Sequence, residues 1–126
     1  MNDDITIKRS YYPDEQIKEL RSYKKGKPHG IWKSWYPTGE IKTESNWING
    51  QLDGVQKTMY RDGQTEQESN WQQGQLHGLR RFWFSNGQLM LETPYKFGRF
   101  HGKRRFWYMD GQLERETKYT DGSIDV

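Results

Sequence analysis

Apolar positions along this chain come in runs of six to eight residues, rich in aromatics and threonine, with glycine-containing breaks between them. Ile31 to Tyr36 is one run and Glu40 to Trp47 the next, separated by Pro37-Thr38-Gly39. Runs this short, bounded by turn residues, predict strands rather than helices. The later breaks Arg61-Asp62-Gly63, Ser85-Asn86-Gly87 and Met109-Asp110-Gly111 read as hairpin turns. A two-residue type I′ loop would use only the last two residues of each. Pro37, with Pro13 in the equivalent place, instead suits the first position of a type I turn followed by a left-handed glycine. The expectation is therefore a three-residue loop, with Trp83 opposite Leu89, Trp35 opposite Ile41 and Trp107 opposite Leu113. In that register Glu92 and Glu116 would face Arg80 and Arg104; the two-residue register would set them against Arg81 and Arg105.

The pattern is periodic. All thirteen glycines fall on three phases of a 24-residue repeat: Gly30, Gly54, Gly78 and Gly102; Gly39, Gly63, Gly87 and Gly111; and Gly26, Gly50, Gly74, Gly98 and Gly122. Tyr12, Tyr36, Tyr60, Phe84 and Tyr108 share another phase, as do Tyr23, Trp47, Trp71, Tyr95 and Tyr119. Charges keep the same time, with Glu44, Glu68, Glu92 and Glu116 on one phase and Arg9, Lys33, Lys57, Arg81 and Arg105 on another. Two strands per unit predict an all-β chain: an elongated, single-layer antiparallel meander of about ten strands, roughly 43 Å across at 4.8 Å per step. It reads as one repeat domain over 1–126, with units at approximately 6–29, 30–53, 54–77, 78–101 and 102–126. The terminal units deviate, Glu15 replacing the turn glycine and Leu20 the glutamate, as capping units of an array do.

Composition sharpens this reading. Hydrophobic residues make up 31% of the 126 residues, too few for a second packed layer, and mean hydropathy is −1.23. Seven Ile, seven Leu and two Val are outnumbered by nineteen aromatics, and alanine is absent, which disfavours helices. The small net charge of +3 and the abundance of aromatics oppose disorder. With no cysteine, disulfides, thiolate metal sites and thiol nucleophiles are excluded. No uncharged stretch reaches the roughly 18 residues of a membrane span, and the acidic N-terminus is unlike a signal peptide, so the expectation is a soluble cytoplasmic protein.

Candidate chemistry is sparse. His29, His77 and His101 recur with Asp53 on one phase, but successive units lie two strands apart, roughly 9 to 10 Å, and one metal cannot reach two of them. Each is expected to hydrogen-bond the loop around its adjacent glycine. No nucleophile-base arrangement or phosphate-cradling glycine loop is present, so the expectation is a non-enzyme without metal or cofactor.

The charge distribution points to a binding surface. Residues 1–78 carry eleven basic and eleven acidic side chains, whereas 79–126 carry nine and six. The excess surrounds Arg80-Arg81-Phe82-Trp83-Phe84 and Arg104-Arg105-Phe106-Trp107-Tyr108, with Arg99, Phe100 and Lys103 between. Arg80, Arg81, Trp83, Arg99, Arg104, Arg105 and Trp107 are the candidate partner-binding residues. Tryptophan, tyrosine and arginine dominate protein-protein hot spots, and interleaved arginine and aromatic residues also suit single-stranded nucleic acid. The plain alternative is that the aromatics pack along the sheet and the arginines pair with Glu92 and Glu116.

The motif Gly-x-x-His-Gly, followed by an aromatic pair, an Asx-Gly turn, an aliphatic, a glutamate and an aromatic, resembles the MORN repeat over nearly the whole chain. His29-Gly30, His77-Gly78 and His101-Gly102, with Tyr36-Pro37-Thr38-Gly39-Glu40-Ile41, look like the bacterial MORN-variant type. The usual second glycine is replaced by Trp32, Gln56, Arg80 and Arg104, so the membrane scaffolding of eukaryotic members carries over less well than protein binding. Short proteins built only of variant repeats are similar to antitoxin or immunity proteins. The resemblance thus implies stoichiometric binding of a cognate protein toxin, with a nucleic-acid module and a peripheral membrane scaffold as alternatives.

Overall fold

In a computed structural model that describes residues 4–125, the described residues form fifteen strands and no helix. Ten are long: β1 (Ile5–Tyr11), β2 (Ile17–Lys24), β4 (Gly30–Trp35), β5 (Ile41–Ile48), β7 (Gly54–Met59), β8 (Thr65–Gln72), β10 (Gly78–Trp83), β11 (Leu89–Lys96), β13 (Gly102–Trp107) and β14 (Leu113–Thr120). Five have two residues: β3 (Lys27–Pro28), β6 (Gln51–Leu52), β9 (Gln75–Leu76), β12 (Arg99–Phe100) and β15 (Ser123–Ile124). The long strands follow one another in chain order across a single antiparallel sheet, and each short strand pairs with the end of the long strand before it. These short strands are absent from the sequence pattern. They arise because the Gly26, Gly50, Gly74, Gly98 and Gly122 series closes two-residue turns, whose first residues Lys25, Asn49, Gln73, Phe97 and Asp121 take φ of 46° to 52°. Positive φ at both central positions is the type I′ geometry that matches strand twist.

The longer turns are those expected. The Gly87 N–H donates to the Phe84 carbonyl (3.0 Å) and the Phe84 N–H to the Gln88 carbonyl (2.8 Å), a type I turn closed by glycine at φ 89°. Trp83 accordingly faces Leu89. The expected continuation does not hold. A β-bulge inserts Met90, so that Phe82 faces Leu91, Arg81 faces Glu92 and Arg80 faces Thr93. Glu116 likewise faces Arg105, and not Arg104. The turn sets one register and the bulge, one residue later, replaces it with the other. The same shift recurs in all five long hairpins.

The corrected register aligns charges across units. Lys33, Glu44, Lys57, Glu68, Arg81, Glu92, Arg105 and Glu116 are successive cross-strand neighbours, alternating in sign over eight strands. Arg81 meets Glu92 at 2.7 Å and Arg105 meets Glu116 at 2.7 Å, with a second, 3.9 Å contact from Arg105 to Glu92. Side chains alternate faces, so this ladder defines one face. Flanking it on the turn side are Trp35, Ile41, Met59, Thr65, Trp83 and Leu89; on the other side are Ile31, Val55 and Leu79. The opposite face carries the ring series Tyr23, Trp32 and Trp47, tilted against one another with centres 5.4 and 5.1 Å apart, and Tyr95, Phe100 and Tyr119, edge to face at 5.3 and 5.0 Å.

Among the described residues no hydrophobic side chain is buried; only Ser22, Ser69 and Thr93 are. The accessible surface is 8287 Å², against about 7,100 Å² for a compact protein of this mass. Stability must therefore come from neighbour-to-neighbour contacts instead of a central core. Adjacent hairpins share only two long-strand pairs per junction, such as Arg81 with Glu68 and Phe82 with Gln67, whereas each hairpin has six or more. Side-chain and turn bonds reinforce the junctions. The hydroxyls of Tyr12, Tyr36 and Tyr60 donate to the carbonyls of Trp35, Met59 and Trp83 at 2.6, 2.6 and 2.5 Å. Each I′ glycine after the first donates to the preceding short strand, as Gly98 does to Leu76 at 2.7 Å.

Candidate functional site

The histidine phase belongs to these junctions. His29, His77 and His101 accept, through Nδ1, the backbone N–H of Asn49, Phe97 and Asp121 at 3.2, 3.1 and 3.3 Å, and an Asp53 carboxylate oxygen accepts that of Gln73 at 3.1 Å. The expected bond to the loop around the adjacent glycine is thus corrected: the acceptor reaches the I′ turn of the following unit, twenty residues ahead. Each αL residue donates there because no strand partner lies beyond a turn. Among the described residues no three His, Asp or Glu side chains gather as a metal site requires.

The seven candidate partner-binding residues divide between the faces. Arg81 and Arg105 stand in the charge ladder, and Trp83 and Trp107 lie on the same face beside Leu89 and Leu113. Arg80 and Arg104 stand on the opposite face, beside Thr93 and Thr117. Arg99 pairs with Lys96 in the short β12 hairpin, its side chain against Gly122. One flat partner cannot touch all seven.

On the face of Arg80 and Arg104 the structure assembles a contiguous surface. The Arg104 guanidinium lies 4.7 Å from the Phe100 ring centre and 4.8 Å from that of Phe106, and its Nε donates to Thr93 Oγ1 at 3.1 Å. Arg115 covers Phe106 from 4.2 Å, and Arg80 covers Phe82 from 5.0 Å. The Arg80 Nε is buried without a hydrogen-bond partner among the described residues. Alternation along β10 and β13 places Phe82 and Phe106 two residues from their arginines, on the same face. Arg115, Tyr95 and Tyr119 are additional members that the sequence reading missed, and Phe100, noted there only as lying between the two runs, joins them; Arg115 is found only through its pairing with Phe106.

Arg80, Arg104 and Arg115 form no ion pair among the described residues, in contrast to Arg81 and Arg105. The strand-paired positions of this face from β10 to β14 contain no carboxylate; Glu114 is the extra residue of the last bulge, at the turn end. The opposite half of the face differs. There Ser34, Thr43, Ser45 and Ser69 occupy positions held by Phe82, Leu91, Thr93 and Thr117 further on, and a shallow depression of about 240 Å³ opens beside Glu19, Arg21 and Trp32. Part of the basic excess seen in the sequence thus stands unneutralised on this face, while Lys103, paired with Lys118, lies on the ladder face. Arginines packed against rings lose less side-chain freedom on binding, and a guanidinium can bond carboxylate or phosphate groups through its remaining N–H donors.

Residues 7–25, 28–49, 76–97 and 100–121 match the family model of the MORN repeat variant. The stretch between the second and third segments keeps the hairpin and the junction bonds, with Asp53 in the place of histidine. No curated protein matches the chain. No helix among the described residues is long and apolar enough to cross a membrane.

Proposed function

Since this chain belongs to the MORN repeat variant family, whose repeats are protein- and membrane-binding elements of a non-enzymatic type, we propose that it is an antitoxin or immunity protein of the cytoplasm. It neutralises a cognate protein toxin by direct stoichiometric binding. The observation that carries this reading is the set of unneutralised arginines, Arg80, Arg104 and Arg115, packed on Phe82, Phe100 and Phe106. Arginine and aromatic residues are the usual anchors of interfaces, and a sheet folded beforehand loses little conformational entropy on docking. The partner surface it fits is acidic. Of the seven candidates, the proposal keeps Arg80 and Arg104 as anchors and adds Arg115.

Co-expression with the product of the adjacent gene tests this. The neighbour alone should arrest growth, the wild-type chain should restore it, and an Arg80→Ala, Arg104→Ala, Arg115→Ala variant with an unchanged melting curve should not. A harmless neighbour, or full protection by that variant, would overturn the reading. The second reading, single-stranded nucleic acid, draws on the same Arg104 sandwich between two rings; steeply salt-dependent binding to oligonucleotides of any sequence would favour it.

A further inference from the structure

We propose that the ladder face, opposite the arginine surface, is a homodimer interface on which a second copy of this chain docks antiparallel. The ladder from Lys33 to Glu116 has eight members of alternating sign, beginning basic and ending acidic. An even alternating series is complementary to its own reversal. Two copies related by a two-fold axis parallel to the strands, between β8 and β10, set Glu68 of each against Arg81 of the other and Lys57 against Glu92. The alternative axis, along the ladder, sets every charge over its own copy and is repulsive. Both arrangements are closed and isologous, and electrostatics selects the one whose axis runs parallel to the strands.

The turn-side apolar row obeys the same operation. An axis parallel to the strands keeps turn ends together, so on the turn side Trp83 of one copy meets Thr65 of the other and Met59 meets Leu89; on the far side Val55 meets Pro94, while Ile31 and Asn46 meet Lys118 and Lys103. Val55 is 37% exposed and Ile31 49%, and the Arg81 and Glu68 side chains retain 35% and 27%. Each of the six interior charges would keep its two neighbours along the ladder and gain a third opposite charge across the interface, which offsets part of the desolvation. Twisted sheets stack with a rotation of about 30°, so contact is closest at the four central members. Eight strands span about 34 Å and a six-residue strand about 20 Å, giving about 1,400 Å² for the two copies together, within the range of specific interfaces. The arginine surface stays open in this dimer.

The chain has no cysteine, so single introduced thiols report the arrangement. Sedimentation equilibrium of the wild type in low salt should give twice the 15.2 kDa mass. In the Thr65→Cys variant the two Cα atoms, one strand step and one sheet spacing apart, lie about 11 Å from each other with the thiols closer still, and a bismaleimide of about that span should couple the two copies. The Ile31→Cys variant, whose thiols are about seven strand steps apart, should not couple. A monomer at the highest concentration reached would overturn the proposal. So would a dimer in which the Ile31→Cys variant couples as readily as the Thr65→Cys variant, which marks the stack of like charge over like. A dimer in which neither variant couples would overturn it too, because it marks a contact through another surface.

Discussion

The backbone N–H of Phe97 donates to Nδ1 of His77 across a unit junction, 3.1 Å away, and the Phe97 ring lies against the imidazole with centres 4.4 Å apart. A phenylalanine at φ 46° is strained, and both contacts hold it there.

Because Asp53 makes the equivalent bond to Gln73 at 3.1 Å, an acceptor of either kind serves the junction. His77→Asp is expected to change unfolding free energy by less than about 0.5 kcal/mol, and His77→Leu to cost about 1 kcal/mol. Urea denaturation of both variants checks this; equal losses would show that the ring contact, and not the bond, matters.

The tyrosine phase predicts a gain. Tyr12, Tyr36 and Tyr60 each bond the carbonyl 23 residues ahead, whereas Phe84, on the same phase, brings no hydroxyl to Trp107. Phe84→Tyr should stabilise by about 0.5–1.5 kcal/mol and Tyr60→Phe should destabilise by a similar amount. Thermal melts with opposite shifts would bear this out.

Glycines of the repeat are not equivalent. A Cβ at Gly102 (φ 117°) would stand 2.9 Å from Pro94 Cγ, a ring atom with little freedom to move, whereas at Gly63 (φ 92°) nothing lies within 4 Å. Gly63→Ala should cost about 1 kcal/mol from backbone conformation alone. Gly102→Ala should cost clearly more, read as a lower denaturation midpoint than that of Gly63→Ala.

Ladder pairing has a pH signature. The hydrogen bond from Arg105 holds the Glu116 carboxyl below the ordinary 4.5 of a glutamate, more than desolvation raises it. A depressed folded pKa means that the contribution is complete above 4.5 and is lost as pH falls through the folded value. Melting temperature in wild type should therefore fall more steeply below pH 4.5 than in Glu116→Gln, and the difference should shrink in high salt because the pair is solvent-exposed.

Much of the architecture was legible in the residues, and the error in charge pairing has one origin. Glycine phases, Pro37 and the aromatic runs are local signals, and they correctly led to antiparallel hairpins, to the type I turn with a left-handed Gly87 and to Trp83 opposite Leu89. Arg81 opposite Glu92 was missed because Met90, the bulge residue, looks like any other strand residue. A bulge is a decision of the backbone pairing, and side-chain alternation continues across it only after one residue has been skipped. The division of the candidate site follows directly. Arg80 and Arg81 are neighbours in sequence and stand on opposite faces, while Arg115 joins Arg104 from another strand.

By itself, the sequence determined the period, the all-β class, the hairpin turns and the single layer, since thirteen phased glycines and too few aliphatics leave no other arrangement. Only the tertiary structure decided which charges meet, which arginines remain unpaired and where each histidine bonds. The physical reason is that these depend on register between strands. One residue of slippage exchanges the faces of a strand without altering the periodicity that the sequence displays.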